Sequence, residues 1–507
     1  MNAALTNGVS MTRTLEHHLA NRQRSGELDL HGETAKLLES VGFSLGDCGG
    51  KLTFYGQDPI VPSCLRFGAV SAASLAAKAV AIAAIWRMRT GEGQDIHVDV
   101  RKAIRRFAPF FEGEWEKLNG YAGGYPWMVT NPFQTAPLLF QTGDGRWVMP
   151  LNMYPRIRSR ALTLLEAVDN IDSVRQAISK WRAAELEIAG AEAGVVMPML
   201  RTVEEFMRET QYTDVLAHAP LIHVEKVAES DPVPFSEGAQ TPLEGLRALG
   251  MGHVIAGSGF GRALALHGAD VLNVWQPLDV EHERLYNSAN VGLRSTVLPL
   301  KTEDGRKVFD SLLQTADVFF ANRRPQYLER YGLSAEELCA RYPGLVHAQI
   351  LLHGDTGPWA NRVGFDESAG AASGLFALEG TPEEPKLPPV KVVNDYITGW
   401  LANLGALAAL RRRAVEGGSY RVTVALTRTN LWLLSLGIFD KAYAHEVAGS
   451  SDEHTYVAPD LFTADTPLGR YQGVTEQVAM SKTPGFYRTV LVPRGSSEPV
   501  WLPRRLA

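Results

Sequence analysis

The pattern of apolar and polar positions changes near residue 241. Beyond that point, short apolar segments alternate with amphipathic ones. The pattern predicts strands at 246–249, 271–274, 318–320 and 345–351, and helices at 259–267, 305–314 and 334–341, before an apolar helix at 398–412. Such alternation is typical of a mostly parallel sheet covered by helices, so we predict an α/β fold.

The part of the chain before residue 241 has a different rhythm. The pattern predicts an apolar helix at 69–88, a strand at 96–100, and helices at 158–167, 171–189 and 202–211. A polar linker with prolines occupies 228–241 and marks a domain boundary. We therefore divide the chain into an N-terminal extension (1–59), a repeat segment (60–106), a small α+β domain (107–230), a large domain (241–445) and a C-terminal tail (446–507).

Part of the large domain is repeated near the N-terminus. Residues 89–100 and 413–424 match at a constant offset of 324, sharing Arg, Glu, Gly and two Val, and both follow an Ala- and Leu-rich segment. The agreement of turn and strand together favours a partial duplication over chance. On this offset Asp395 falls on Ser71, so only one copy has a carboxylate at that place.

Composition narrows the classes of function. The chain has 507 residues, 45% hydrophobic residues and a formal charge of −6, which favours neither nucleic acid nor an anionic membrane as partner. Its three cysteines lie far apart, which fits a reducing cytoplasm, and the polar first residues predict no signal peptide. The apolar run 69–86 contains Lys78 and is short for a membrane span, so we predict a buried helix.

Asp395 is the candidate catalytic residue. It immediately precedes an apolar helix, and two interpretations remain open on local pattern. It either caps the helix by accepting a hydrogen bond from a first-turn amide, or serves as a carboxylate nucleophile kept ionised by the helix N-terminus. Gly399, in the first turn, permits close approach of another backbone.

Other candidate groups are less specific. The turn 257–262 resembles a dinucleotide-binding loop, but Arg262 occupies its third glycine position, which weakens the match. Arg294, Arg323, Arg324 and Arg330 form a basic set suited to phosphates or to a solvated surface. His253 is a lone histidine in a Gly-rich turn, and we predict no metal site because no ligand cluster has metal-binding spacing.

Together the motifs of residues 241–430 resemble the family III CoA-transferases, whose sister branch contains α-methylacyl-CoA racemase. The resemblance rests on short motifs in the family order: Pro242–Gly245, Gly268–Val271, Asn322 with Pro325, Arg330 with Gly332 and Leu333, Gly354 with Gly357 and Pro358, and Asp395 with Thr398 and Gly399. It implies a Rossmann-like open parallel sheet in the large domain, in a rearranged or duplicated order, and weaker similarity extends over 60–230.

The resemblance also implies roles for particular residues. Asp395 would be the covalent nucleophile, and coenzyme contacts would come from His253, Ala256, Arg294, Asn322 and Arg330. CoA and acyl-CoA would be substrates, with no tightly bound cofactor. Three usual charges of the family are replaced by Trp275, Gln276 and Leu293.

The predicted activity is transfer of CoA between an acyl-CoA and a carboxylic acid, by a cytoplasmic homodimer. A racemase needs two acid–base groups, and Phe365 stands where that branch has a histidine, which favours transfer. A silent acyl-CoA-binding protein and an NAD-dependent oxidoreductase remain alternatives. Aromatic residues of 107–155 suit either an acyl pocket or the small-domain core: Phe110, Phe111, Trp115, Tyr121, Tyr125 and Trp127.

Overall fold

The structure is a computed structural model that describes residues 2–107, 109–122, 131–133 and 138–503. Side chains are described outside residues 2–9, 110 and 111. Within these ranges the helices and strands fall into a small-domain region, a large α/β region, and N- and C-terminal segments that pack on both.

The elements before residue 241 are mostly helical. The helices are α1 (Asn2–Ala20), α2 (Leu30–Ser40), α3 (Phe67–Thr90), α4 (Val100–Ala103), α5 (Pro109–Glu112), α6 (Pro155–Leu165), α7 (Ile171–Ile178), α8 (Ala183–Ala193) and α9 (Val203–Phe206). The strands are β1 (Leu52–Tyr55), β2 (Ile96–Asp99), β3 (Lys117–Leu118), β4 (Phe140–Gln141), β5 (Trp147–Val148) and β6 (His223–Ala228).

The remaining elements alternate until residue 435. The helices are α10 (Ala256–Leu266), α11 (Glu283–Ala289), α12 (Glu303–Leu313), α13 (Pro325–Arg330), α14 (Ala335–Arg341), α15 (Asp366–Ser373), α16 (Leu375–Glu379), α17 (Asp395–Glu416), α18 (Leu426–Ser435) and α19 (Lys441–Val447). The strands are β7 (Arg247–Met251), β8 (Asp270–Trp275), β9 (Arg294–Val297), β10 (Val318–Ala321), β11 (Val346–Leu351), β12 (Ser419–Ala425), β13 (Leu461–Thr466), β14 (Gly469–Val474) and β15 (Val478–Met480).

One seven-stranded sheet forms the large region, in the order β6-β12-β11-β10-β7-β8-β9. All neighbouring strands are parallel except β6, which pairs antiparallel with β12. The α/β fold with a mostly parallel sheet is therefore confirmed. Because β7 and β10 are neighbours, the residues that follow them meet at one carboxyl edge, where ligands bind in open α/β sheets.

Several elements differ from the sequence-based expectation. The helix predicted at 171–189 is two helices, α7 and α8, separated by a turn. Residues 223–228, assigned by sequence to the segment 107–230, add the antiparallel edge strand β6 to the large sheet. The tail, which has little regular pattern in sequence, forms β13 and β14, and β14 pairs with the distant strand β3.

The two apolar helices, α3 and α17, pack against each other at the centre of the molecule. By length and hydropathy α3 qualifies as a membrane-spanning helix, yet its apolar stretch is entirely buried within the protein. The predicted buried helix is therefore confirmed. Each of the two helices leads into a strand of a parallel pair, β2 beside β1 after α3 and β12 beside β11 after α17.

Candidate active site

Asp395 is the first residue of α17 and is 6% exposed. The interpretation of Asp395 as the helix cap is wrong. The side chain that accepts from the amides at this helix start is Asp366, which begins α15. Its carboxylate accepts from the backbone N–H groups of Val393 (2.9 Å), Asn394 (2.5 Å) and Asp395 (2.9 Å). Asp395 thus keeps its carboxyl group free of first-turn amides.

Three carboxyl groups meet at this helix start. Burial, and then the charges of Asp366 and Glu367, raise the pKa of Asp395 well above its usual range. Burial also raises the pKa of Asp366, although three amides counter it. Burial and Asp366 raise the pKa of Glu367. Burial and like charge therefore oppose the ionisation that the helix N-terminus is expected to favour at Asp395.

The start of α17 lies close against the start of α10. A Cβ atom at Gly399 would lie 3.0 Å from the carbonyl oxygen of Ala256, so glycine permits this approach of the two helices. Ala256 is the first residue of α10 and is buried. Asp395 and the turn after β7 are thereby held next to each other.

The turn after β7 is fixed by Asn322, which follows β10. The Oδ1 atom of Asn322 accepts from the backbone N–H of His253 (2.9 Å), and its Nδ2 donates to the carbonyl of His253 (2.7 Å). The ring of His253 bonds through Nε2 to the carbonyl of Val280 (2.9 Å). Two of the sequence-predicted residues, His253 and Asn322, therefore lie together at the carboxyl edge of the sheet.

Tyr154, which precedes α6, joins this cluster from the small domain. Its hydroxyl donates to Glu281 (2.6 Å), and its ring lies 5.0 Å from that of His253 and 5.9 Å from that of Phe365, between ring centroids. Burial and then Glu281 raise the pKa of Tyr154, and Asp395 adds to the effect. Sequence reasoning missed Tyr154 and Glu281, because no local motif marks two residues that meet across domains.

A cleft of about 820 Å³ opens beside this cluster, between α6 and residues 280–283. Its wall includes Glu281 and His282. Asp395 does not line the cleft. Tyr154 bonds to Glu281 on the cleft wall, and the charge of Asp395 contributes to the raised pKa of Tyr154.

A group of arginines surrounds Arg324 near the same edge. Burial, and then the charges of Arg330, Arg160 and Arg156, lower the pKa of Arg324. Arg330 ends α13 and is exposed, whereas Arg156 and Arg160 belong to α6. The set therefore combines cations of both domains, an arrangement suited to phosphate groups.

Comparison with known proteins finds a family match for part of this chain. The sequence model of CoA-transferase family III matches residues 243–470, which contain Asp395, Asn322 and His253. Residues 243–470, less than half of the chain, are similar to CoA-transferase family III. The share of the chain before residue 243 lies outside that match.

Relatives with named activities align over part of the chain. The succinyl-CoA–L-malate CoA-transferase alpha subunit of Chloroflexus aurantiacus is 32% identical over 253 residues, covering 46% of this chain and 59% of the relative. The succinate–glutarate CoA-transferase of Agrobacterium fabrum is 33% identical over 203 residues, covering 36% and 51%. The chain thus spans less than two thirds of the length of these relatives.

A solved structure of a CaiB/BaiF family protein from Brucella suis is 28% identical and covers 45% of this chain and 65% of its own. The TM-score of that alignment is 0.35, too low for a comparison of the whole fold.

The family-type arginine at position 294 does not join the cluster at the sheet edge. Its guanidinium donates to Asp270 (3.1 Å) and to the carbonyls of Glu498 (3.3 Å) and Val500 (2.6 Å). Arg294 is 9% exposed, and these contacts hold the C-terminal tail against the large sheet. A coenzyme contact of Arg294 stays a prediction from the family resemblance.

Two other residues that depart from the family pattern are buried in the structure. Trp275 is fully buried at the end of β8 and packs 5.4 Å from the ring of His253, so it supports the turn after β7. Leu293 is buried as well. Among the predicted aromatic residues, Tyr125 and Trp127 lie outside the described residues. Within the described ranges, no group of three His, Cys, Asp or Glu residues is arranged to hold a metal ion.

Proposed function

We propose that this protein transfers CoA from an acyl-CoA to a carboxylic acid, with Asp395 as the group that carries the acyl chain. The observation that supports this most directly is the place of Asp395. It begins a buried helix in the family-matching half, lies beside the Asn322–His253 turn, and makes no bond to the amides that Asp366 caps. The family model matches residues 243–470, and the named CoA-transferase relatives are 32–33% identical over part of the chain.

In the proposed first step, one oxygen of the ionised Asp395 attacks the thioester carbonyl carbon. The C–S bond breaks, CoA leaves as its thiolate, and a mixed anhydride remains on Asp395. The thiolate then attacks the aspartyl carbonyl of the anhydride, which releases the first acid and leaves an aspartyl-CoA thioester. The incoming carboxylate attacks that thioester, and the returning thiolate takes the new acyl group, which restores Asp395.

The raised pKa of Asp395 has a consequence for this chemistry. The carboxyl group must lose its proton before it attacks, so the active fraction grows as the pH rises through its pKa. A carboxylate destabilised by burial and by Asp366 and Glu367 is also a more basic nucleophile once it is ionised. The three-carboxyl cluster therefore lowers the fraction of Asp395 that is ionised but makes each ionised carboxylate a stronger nucleophile.

The coenzyme is proposed to bind across the domain junction. Arg330 is available to phosphate groups, with Arg324, Arg156 and Arg160 around it. Asn322 and His253 are proposed to shape the turn that receives the pantetheine arm, with Ala256 at the helix start behind it. Tyr154 lies between the cleft wall and Asp395, so its displacement is proposed to open the route for the thioester.

A racemase on the same fold is the second candidate. Phe365 supplies no proton, and its ring packs near that of Tyr154, so the position where the racemase branch has a histidine is apolar here. This favours transfer. We also propose, from the family resemblance, a cytoplasmic homodimer, which size-exclusion chromatography with light scattering would test.

The deciding experiment replaces Asp395 with Asn and follows exchange of labelled CoA between an acyl-CoA and free acids. We expect Asp395→Asn to lower the exchange rate about a thousandfold or more, because the covalent carrier is lost. Hydroxylamine added during turnover should trap the wild-type carboxyl group, and mass spectrometry should locate the hydroxamate at Asp395.

The matched control is Ser71→Ala, at the aligned position of the other helix, which should leave exchange unchanged. A wild-type protein that binds acyl-CoA but shows no exchange with a broad panel of acids would contradict the proposal and favour a silent binder. Exchange of the α-proton with heavy water, without an acceptor acid, would favour a racemase.

A further inference from the structure

A second cavity, of about 280 Å³, lies away from Asp395, where three parts of the chain meet. The helix α3 contributes Lys78, the end of α10 contributes Leu266 and His267, and the C-terminal strands and tail close the other sides. Most of the wall is apolar: Leu266, Phe462, Val478, Met480, Phe486 and Val490.

The polar residues of this cavity are almost completely buried. Lys78 forms an ion pair with Glu476, with side chains 2% and 7% exposed. His267 is 5% exposed, and its buried Nδ1 atom has no hydrogen-bond partner among the described residues. Leaving a buried polar atom without a partner is costly, so this place in the wall favours a ligand that can bond to it.

The ammonium group of Lys78 also has N–H donors available for a ligand. It carries three N–H bonds, and within the described part of the chain it makes one hydrogen bond, to Glu476. The hydroxyl of Tyr487, also on the cavity wall, accepts from Arg262 (2.9 Å) and retains its own proton for donation. The polar side of the cavity is therefore richer in free donors than in free acceptors.

The charges around the cavity are unequal. Lys78, Arg106 and Arg262 are buried cations, and the buried carboxylates beside them are Glu116 and Glu476. Burial opposes ionisation of Glu476, but Lys78, Arg106 and Arg262 outweigh it and lower its pKa to about 2. Burial and then Lys78 lower the pKa of His267 to about 3, so this ring is neutral at ordinary pH. Among the described residues of this buried group, three cations accompany two carboxylates, and Lys78 is the cation on the cavity wall. Buried charge without a partner is costly.

We propose that this cavity binds a small carboxylate with a hydrocarbon tail, at a site separate from Asp395. The carboxylate would accept from Lys78, Tyr487 and His267 and would balance positive charge in this buried group, while the tail would lie against the apolar wall. The volume falls just below the range of about 300–1,000 Å³ typical of drug-sized ligands, so the occupant is a short acid.

The test titrates the full-length protein with hexanoate by isothermal calorimetry, with hexanol and hexylamine as probes of equal length. Hexanoate should bind saturably, and about tenfold or more tightly than either probe. Ala464→Phe fills the cavity from its partly exposed wall and should weaken hexanoate binding about tenfold or more. Asp465→Phe, an exposed neighbour on the same strand, is the control and should bind as the wild type does.

A second variant removes both charges of the Lys78–Glu476 ion pair, so that neither is left buried without its partner. Lys78→Met combined with Glu476→Gln removes the ion pair as a unit and should also weaken hexanoate binding about tenfold. Absence of saturable hexanoate binding, unchanged binding by Ala464→Phe, or equal binding of hexanol would each overturn the proposal. Loss of hexanoate binding in Asp395→Asn would assign the acid to the catalytic cleft instead. The assay contains no coenzyme, so its outcome is independent of the transferase proposal.

Discussion

The starts of α3 and α17 are built alike and charged differently. At each, a buried aspartate from an earlier segment accepts from amides of the helix start. Asp58 accepts from Gly68 (2.9 Å) and Ala69 (2.7 Å), as Asp366 does from the amides at 393–395. At the aligned inner position, however, α3 has Ser71, whose hydroxyl donates to the carbonyl of Gly68 (3.0 Å), whereas α17 has the carboxyl group of Asp395.

The surroundings of the two capping aspartates explain the difference. Arg66 counters the effect of burial on the pKa of Asp58, together with the amides. Asp366 has the amides, but none of the described cations lowers its pKa, and its charged neighbours are the carboxyl groups of Asp395 and Glu367. The cap alone therefore serves stability, while the accumulation of like charge at α17 is the kind of costly arrangement found at functional sites.

The largest effect is expected when a carboxylate is placed at the start of α3 as well. Ser71→Asp puts an acidic group at a fully buried position near Asp58, so we expect a loss of about 3 kcal/mol or more in the free energy of unfolding. CoA exchange per folded molecule should not rise. Thermal unfolding followed by circular dichroism measures the loss.

Ser71→Ala is the control for that variant, and it should cost about 1 kcal/mol, the value of one hydrogen bond. If Ser71→Asp unfolds at the wild-type temperature, α3 tolerates a carboxylate as well as α17 does, and the proposed distinction between the two helix starts is wrong.

The two caps provide a smaller and more graded test. Asp58→Ala leaves two buried amides without an acceptor and Arg66 without its counter-charge, and should cost about 2–3 kcal/mol. Asp366→Ala should cost less, although it removes more amide bonds, because it also relieves the repulsion on Asp395. Urea unfolding of both variants compares them.

A double-mutant cycle separates the two contributions at α17. In the Asp395→Asn background the repulsion is already gone, so Asp366→Ala should cost more than it does in the wild type. Equal costs in the two backgrounds would show that the like charges do not affect stability.

Much of the large region was predictable from the sequence. The alternation of apolar strands with helices placed β7, β8, β10 and β11 within a few residues, because each strand is buried and bounded by turns. The strands β13 and β14 were missed, since only alternate residues of β13 are partly buried and β14 pairs with β3, far away in sequence. The break between α7 and α8 has no proline or glycine to mark it.

The candidate site also contains some residues that the sequence indicates and others that only the tertiary structure reveals. Motif order located Asp395, Asn322 and His253, and these were enough to propose the chemistry. Three other features depend on tertiary structure, so no local pattern indicates them. They are the capping of α17 by Asp366, the hydrogen bond of Tyr154 to Glu281, and the ion pair of Arg294 with Asp270. The upward direction of the pKa shift of Asp395 was not predictable, because a helix N-terminus is visible in the sequence, whereas burial and neighbouring carboxyl groups are not.

The smallest expected effect concerns Glu367, which follows Asp366 and helps to raise the pKa of Asp395. Burial and then Asp366 raise the pKa of Glu367 itself to about 8, so Glu367→Gln removes a negative charge that is present mainly above that pH. There the pKa of Asp395 should fall and a larger fraction should be ionised at a given pH. The rising limb of the pH profile of kcat/KM should therefore move to lower pH, by roughly half a unit to one unit, since Glu367 is partly exposed and screened. Steady-state CoA exchange from pH 5 to pH 9 measures the limb, and Glu303→Gln, on the exposed face of α12, should leave it in place. A limb that stays fixed, or moves to higher pH, would mean that the charge of Glu367 does not reach the reacting carboxyl group, and the contrast between the two helix starts would then rest on burial alone.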